Sequence, residues 1–162
     1  MDPIAEAQRQ WEARGWSDAA EGMAAVTSVM RVQQIMQARV DEVLRPFGLT
    51  FARYELLMLL HFSSRASLPV KKASERLQVH PTSVTNAVDR LQAAGLVIRK
   101  PHPTDGRAVL VELTNSGRDC ALAATADLNS RVFAAPGLNM RKVRTLVAVL
   151  RDLRTAAGDL DD

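Results

Sequence analysis

One cysteine, three histidines and one tyrosine are all that 162 residues hold of several side chains that commonly carry catalysis or bind metals. Cys120 alone excludes an internal disulfide framework and fits a reducing compartment. His61, His80 and His102 stand at spacings that match no zinc motif, so no metal site and no cofactor are expected. There is no clustered carboxylate pair, no nucleophile elbow and no phosphate loop, which argues against an enzyme. The longest apolar runs, such as Leu56–Leu60, are too short to span a bilayer, and the start "MDPIAEAQRQW" lacks the basic and apolar segments of a signal peptide. The chain therefore reads as cytoplasmic, without membrane association. Repeats, low-complexity tracts and polar linkers are also missing, so a single domain over 1–162 is the default, with only the final "GDLDD" expected to be loose.

What is present is a chain with 47% hydrophobic residues, enough for one cooperative core, and a net charge of +3. The charge is uneven. Residues 69–107 hold seven basic and three acidic side chains, a net of +4, which leaves −1 for the remainder. A basic excess confined to a quarter of the chain is the distribution of a nucleic-acid footprint.

Helical spacing and caps divide the chain. Asp2-Pro3 opens a short helix with Ile4, Ala7 and Trp11 on one stripe, and Gly15 ends it. A long helix is expected from Ser17 to Phe47, stopped by Gly48. Thr50 caps "FARYELLMLLHFS", apolar nearly all round and so the expected buried centre. "LPVKKASERLQ" reads as a short amphipathic helix with Val70, Ala73 and Leu77 inward. Pro81 suits the first position of the next helix, because its missing N–H would be unpaired there anyway. Two short helices joined this closely are a helix-turn-helix candidate.

In the second of them, Val84, Val88 and Leu91 face inward at helical spacing, leaving Thr82, Ser83, Thr85, Asn86 and Arg90 for something outside. "LVIRK" and "AVLVEL" are β-rich runs joined by "PHPTDGR", a strong turn signal. Thr114 caps a further helix, with Leu122, Leu128, Val132 and Phe133 as its apolar positions, broken by Pro136-Gly137. A last helix opens at Asn139. Apolar stripes on the terminal helices need a partner surface, and a second copy supplies one.

The expected fold class is therefore mainly α with a small β-hairpin wing (α+β): a winged helix-turn-helix over 49–113, flanked by N- and C-terminal dimerisation helices at 1–48 and 114–162. Such a helix enters the major groove with its N-terminal end leading, where unpaired backbone N–H groups and the helix dipole favour phosphate. Thr82, Ser83 and Thr85 are short enough to permit close approach, and Asn86 can make a bidentate contact to adenine. The hairpin would carry Arg107 to the minor groove, oriented by Asp105, with Lys100 among the bases nearby.

At these residues the chain resembles the multiple-antibiotic-resistance regulator (MarR) family of winged-helix transcription factors. The similarity lies in "SERLQVHPTSVTNAVDRLQAAGLVIRK", in Asp105-Gly106-Arg107 and in "LVELTNSGRD". It implies that Pro81 to Arg90 form the DNA-reading helix and Arg107 the wing tip. It also implies an obligate homodimer and a repressor acting on double-stranded DNA at a pseudo-palindromic operator, open to release by a small aromatic or phenolic effector. Two residues depart from the pattern: His80 stands where a serine cap is frequent, and Asn86 where an arginine is common. By the same resemblance Trp11, Tyr54, Met58 and His61 are candidates for an effector pocket, although Trp11 equally anchors its helix and the other three have the spacing of core. Two rival readings are a winged-helix protein-interaction module without specific DNA binding, and a thiol-redox sensor using Cys120.

Overall fold

The computed structural model describes residues 1–160; Asp161 and Asp162, the end of the tail expected to be loose, lie outside the described residues. Seven helices and three short strands follow in the order α1 (Pro3–Ala13), α2 (Ser17–Leu44), α3 (Phe51–Phe62), β1 (Ser67–Pro69), α4 (Val70–Leu77), α5 (Pro81–Ala93), β2 (Val97–Pro101), β3 (Val109–Leu113), α6 (Asn115–Leu128) and α7 (Met140–Ala156). No described helix is long and apolar enough to cross a membrane.

The local signals explain most boundaries. Asp2, Thr50, Thr114 and Asn139 each cap a helix by accepting a backbone N–H of its first turn. The long α2 stops at Leu44, because Pro46 turns residues 45–47 into a single 3₁₀ turn before Gly48 takes the left-handed conformation. One strand departs from the expectation. Leu68 and Pro69, read above as the start of a helix, instead form with Ser67 a strand that pairs antiparallel with β3, giving a sheet in the order β1-β3-β2. Pro69 has no N–H to donate to a ladder, and its place at the end of an edge strand accommodates that lack.

The core sits where α3 and α5 meet the sheet and α6. Leu56, Leu57 and Leu60 of α3, Val84, Val88 and Leu91 of α5, Val97 and Val111 of the sheet and Leu128 of α6 are almost fully buried. The inward face of α6 differs from the expected one. Ala121, Ala124, Leu128 and Val132 are buried, while Leu122 and Phe133 are about half exposed. Small alanines let α6 lie close to its neighbours, and Leu122 and Phe133 fall on the outer side.

At its N-terminal end α6 is laced to the end of α5. Thr114 donates its hydroxyl to the Gly95 carbonyl at 2.8 Å and its backbone N–H to the Leu96 carbonyl at 3.1 Å, while its oxygen accepts the Gly117 N–H at 2.9 Å. Gly117 lies so near that a Cβ would stand 2.0 Å from the Leu96 oxygen. At the other end, residues 129–133 form a π turn, and Arg39 of α2 donates to the carbonyls of Arg131 and Ala135 at 3.1 and 2.7 Å. The tail is also held in part: Gln78, beyond α4, donates to the Asp159 carbonyl at 2.9 Å.

Gly117→Ala should destabilise the protein by about 1–3 kcal/mol or more, since backbone must shift to admit the methyl. Gly106→Ala, with open space around its Cβ, should change little. Urea denaturation of both variants measures the difference.

Candidate nucleic-acid interface

The helix-turn-helix depends on a buried serine that sequence reasoning passes over. Ser74, 6% exposed, donates its hydroxyl to the Val79 carbonyl at 2.6 Å, and the Val79 N–H returns to the Ser74 carbonyl at 3.3 Å. These bonds close the turn across Gln78, which adopts φ +53°, and so fix the angle between α4 and α5. A small polar residue on the inward side of an amphipathic helix is the signal that points to it.

His80 then caps α5. Its Nδ1 accepts the Thr82 N–H at 3.2 Å, and its carbonyl accepts the Ser83 N–H at 2.9 Å. The imidazole thus does the work of the frequent serine. It also uses an N–H that the sequence reading left free for phosphate, so the first turn meets a ligand mainly through its side chains and dipole. Pro81, Thr82, Ser83, Asn86 and Arg90 are exposed, while Val84, Val88 and Leu91 hold the opposite face in the core. Thr85 is exposed too, but its hydroxyl proton goes to the Pro81 carbonyl at 3.1 Å, leaving it to act as an acceptor.

The wing is braced against α5. Arg99 of β2 pairs with Asp89 and donates to Gln92 at 2.7 Å. Lys100 pairs with Glu112 across the sheet at 2.7 Å and remains half exposed. At the tip, His102 Nδ1 accepts the backbone N–H groups of Thr104 and Asp105, and the Asp105 carboxylate accepts the Arg107 N–H at 3.0 Å. Asp105 therefore orients Arg107 through its backbone. The Arg107 side chain is exposed and, among the described residues, has no acidic partner; the same holds for Lys71, Lys72, Arg76 and Arg90. With Arg99 and Lys100 engaged, these five carry the positive surface.

A second feature lies on the other side of α3. A cleft of about 470 Å³ is walled by α3, Leu77 of α4, Thr125 of α6 and the π turn. Of the four candidates for an effector pocket, it includes Tyr54 and Met58. His61 faces elsewhere on α3, beside Phe62, and Trp11 packs edge-on against Trp16 at the α1–α2 corner, 5.2 Å between ring centres. Phe51, Glu55, Leu59, Phe62, Asn129 and Phe133, which sequence reasoning did not assign, complete most of the wall. For Phe51, Glu55, Leu59 and Phe62 the only sequence signal was their place on α3; Asn129 and Phe133 come from the π turn.

Cys120, half-buried in α6, packs against the core, and burial pushes its thiol pKa up. That lowers the thiolate fraction on which reactivity depends.

A helix-turn-helix with a braced β wing, exposed short polar side chains on its second helix and exposed bases without acidic partners among the described residues defines a winged-helix DNA-binding protein. Comparison with known proteins identifies the lineage. A sequence model of the MarR family matches residues 47–108. The crystal structure of Sco5413, a MarR family transcriptional regulator from Streptomyces coelicolor, is 50% identical and superposes with a TM-score of 0.78, covering 88% of this chain and 99% of that one. The uncharacterized HTH-type transcriptional regulator YhbI of Bacillus subtilis is 36% identical over 75% of this chain and 73% of its own length. A mutant of MarR from Escherichia coli complexed with operator DNA, at 24% identity, shares the fold with a TM-score of 0.74 over 83% of this chain and 96% of that one. The chain belongs to the MarR family of transcriptional regulators.

Two expected outcomes test this geometry. His80→Ala should cost about 1 kcal/mol of stability through loss of the cap, and His80→Ser should restore most of it in thermal denaturation. Because the raised Cys120 pKa leaves less thiolate near neutral pH, the thiol should react with a disulfide reagent more slowly than free cysteine. A rate at or above the free thiol's would revive the redox-sensor reading.

Proposed function

We propose that the protein acts as a cytoplasmic homodimeric repressor, laying α5 into successive major grooves of a pseudo-palindromic operator and the wing into the adjoining minor grooves. The observation that carries this reading is that the helix-turn-helix and its wing expose short polar side chains at the start of α5 together with basic groups that have no acid partner among the described residues. Thr82, Ser83 and Thr85 allow the helix close approach; Thr82 and Ser83 bond to phosphates or base edges, and Thr85 accepts from a base-edge N–H. Asn86 reads adenine and Arg90 holds the backbone, while Lys100, expected beside them, is held by Glu112. Arg107 enters the minor groove, where negative potential attracts a guanidinium.

The division of labour follows the chain: 49–113 as the reading lobe, 1–48 and 114–162 as the dimerisation region. Supporting it, α1 and α7 bury no residue of their own within one chain, and Val26, Val29, Met30, Leu146, Val147 and Leu153 stand exposed. A second copy covers such faces with an identical surface. Two heads so joined must match half-sites separated by about one helical turn, roughly 34–36 Å, or a multiple of it. An aromatic or phenolic effector in the cleft releases DNA if it prefers the state in which the heads are mis-spaced.

Anisotropy titrations on operator and scrambled DNA across a salt series test the reading. Arg107→Ala should weaken binding to all sequences and reduce the log–log salt slope by about one. Asn86→Ala should cost about 1–3 kcal/mol at one base pair per half-site and relax preference there. Salt-independent behaviour and indifference to Arg107→Ala would instead favour a protein-interaction module.

A further inference from the structure

The cleft beside α3 carries a charge pattern that bears on what it accepts. Its wall is largely carbon, contributed by Phe51, Met58, Leu59, Phe62, Leu77 and Phe133. Among the described residues of one protomer, its wall contains no lysine, arginine or histidine. Its one carboxylate, Glu55, stands at the mouth, open to solvent on one side and, among the described residues, without a salt-bridge or hydrogen-bond partner. The carbon around it raises its pKa above the ordinary carboxylate value by desolvation.

The hydroxyls in the wall are already committed. Thr125 donates to the Ala121 carbonyl at 2.7 Å or to Met58 Sδ at 3.3 Å. The Tyr54 hydroxyl lies 2.9 Å from Thr125 Oγ1, and when Thr125 donates to Ala121 the phenol donates in that pair. In that arrangement both protons are used within the wall. An anionic ligand would find no cation among the described residues of this wall and hydroxyls already engaged with one another, with the Asn129 amide as the one side-chain N–H donor among the described lining residues, and it would be repelled by Glu55. A cation with an apolar body meets the reverse: aromatic walls, which attract cations through their π faces, and a carboxylate whose desolvation it relieves.

We propose that this cleft selects a small aromatic amine in its cationic form, the ammonium held at Glu55 and the ring against Tyr54, Met58 and Phe133, and that it discriminates against carboxylates and phenolates. The inference rests on the reading of the cleft as an effector site and narrows the aromatic or phenolic class to cations. The occupant reaches the π turn directly, because Asn129 and Phe133 open and close that turn.

Three indoles of similar size and different charge make the test: tryptamine, 3-methylindole and indole-3-acetate, titrated calorimetrically into the full-length protein. Tryptamine should bind at least about tenfold more tightly than indole-3-acetate, a difference of about 1.4 kcal/mol. Glu55→Gln should erase that preference, and Glu55→Lys should reverse it, with unchanged thermal melting showing that both variants fold. Equal binding of all three to the native protein, or tighter binding of the acetate, would overturn the charge selection while leaving the cleft an effector site. Failure of all three to bind would overturn both readings.

Discussion

The backbone contact between Gly117 and the Leu96 carbonyl is the constraint on which the arrangement of the molecule depends. It allows the first turn of α6 to rest on the end of the reading helix, with Thr114 bonding to both Gly95 and Leu96 across the gap. The reading helix, the base of the wing and α6 therefore behave as one rigid piece. Without a residue lacking Cβ at this place, α6 would stand off and the three carbonyl and amide groups would lose their partners. Burial supplies most of the stability of the lobe, through Val84, Val88, Leu91 and Leu56, but burial is non-directional and would tolerate several angles between the elements. The junction selects one.

The basic side chains divide into two groups by geometry. Arg99 and Lys100 are spent inside the lobe, the first tying β2 to α5 through Asp89 and Gln92, the second bridging the sheet to Glu112. Exposed ion pairs of this kind add little stability, but they restrict where the wing can sit. Lys71, Lys72, Arg76, Arg90 and Arg107 remain available to an external polyanion. The wing tip shows the same economy. Its backbone is organised by His102 and Asp105, so Arg107 is presented from a defined turn rather than from a freely moving loop.

Much of this was legible in the sequence, because the reading lobe is built from strong punctuation. Pro81, Gly95, "PTDGR" and Thr114 mark the ends of elements by backbone chemistry that context seldom overrides, and α5 and the hairpin follow from them. β1 was not legible: three residues are too few to show alternation, and their strand character comes from pairing with β3, more than 40 positions away. The buried face of α6 was misjudged because large apolar residues were given more weight than the alanines that pack closest. The cap by His80 was hidden because imidazole is outside the usual set of capping side chains, though its unprotonated nitrogen accepts as well as a hydroxyl does. The cleft was half visible. Tyr54 and Met58 lie on the stripe that forms it, but its other walls come from α4, α6 and the π turn, which only the tertiary structure brings together.

The π turn after α6 has a mechanical side. Between it and the Gly117 junction runs a 14-residue helix, about 21 Å of stiff rod at 1.5 Å per residue. One end is pinned by Arg39 to the carbonyls of residues 131 and 135; the other end carries the reading helix. Such a rod has leverage: a tilt of only about 10° at the pinned end displaces the far end by roughly 4 Å. That exceeds the length of a hydrogen bond, so an adjustment small enough to be absorbed by one irregular helical turn is large enough to break a contact made at the far end.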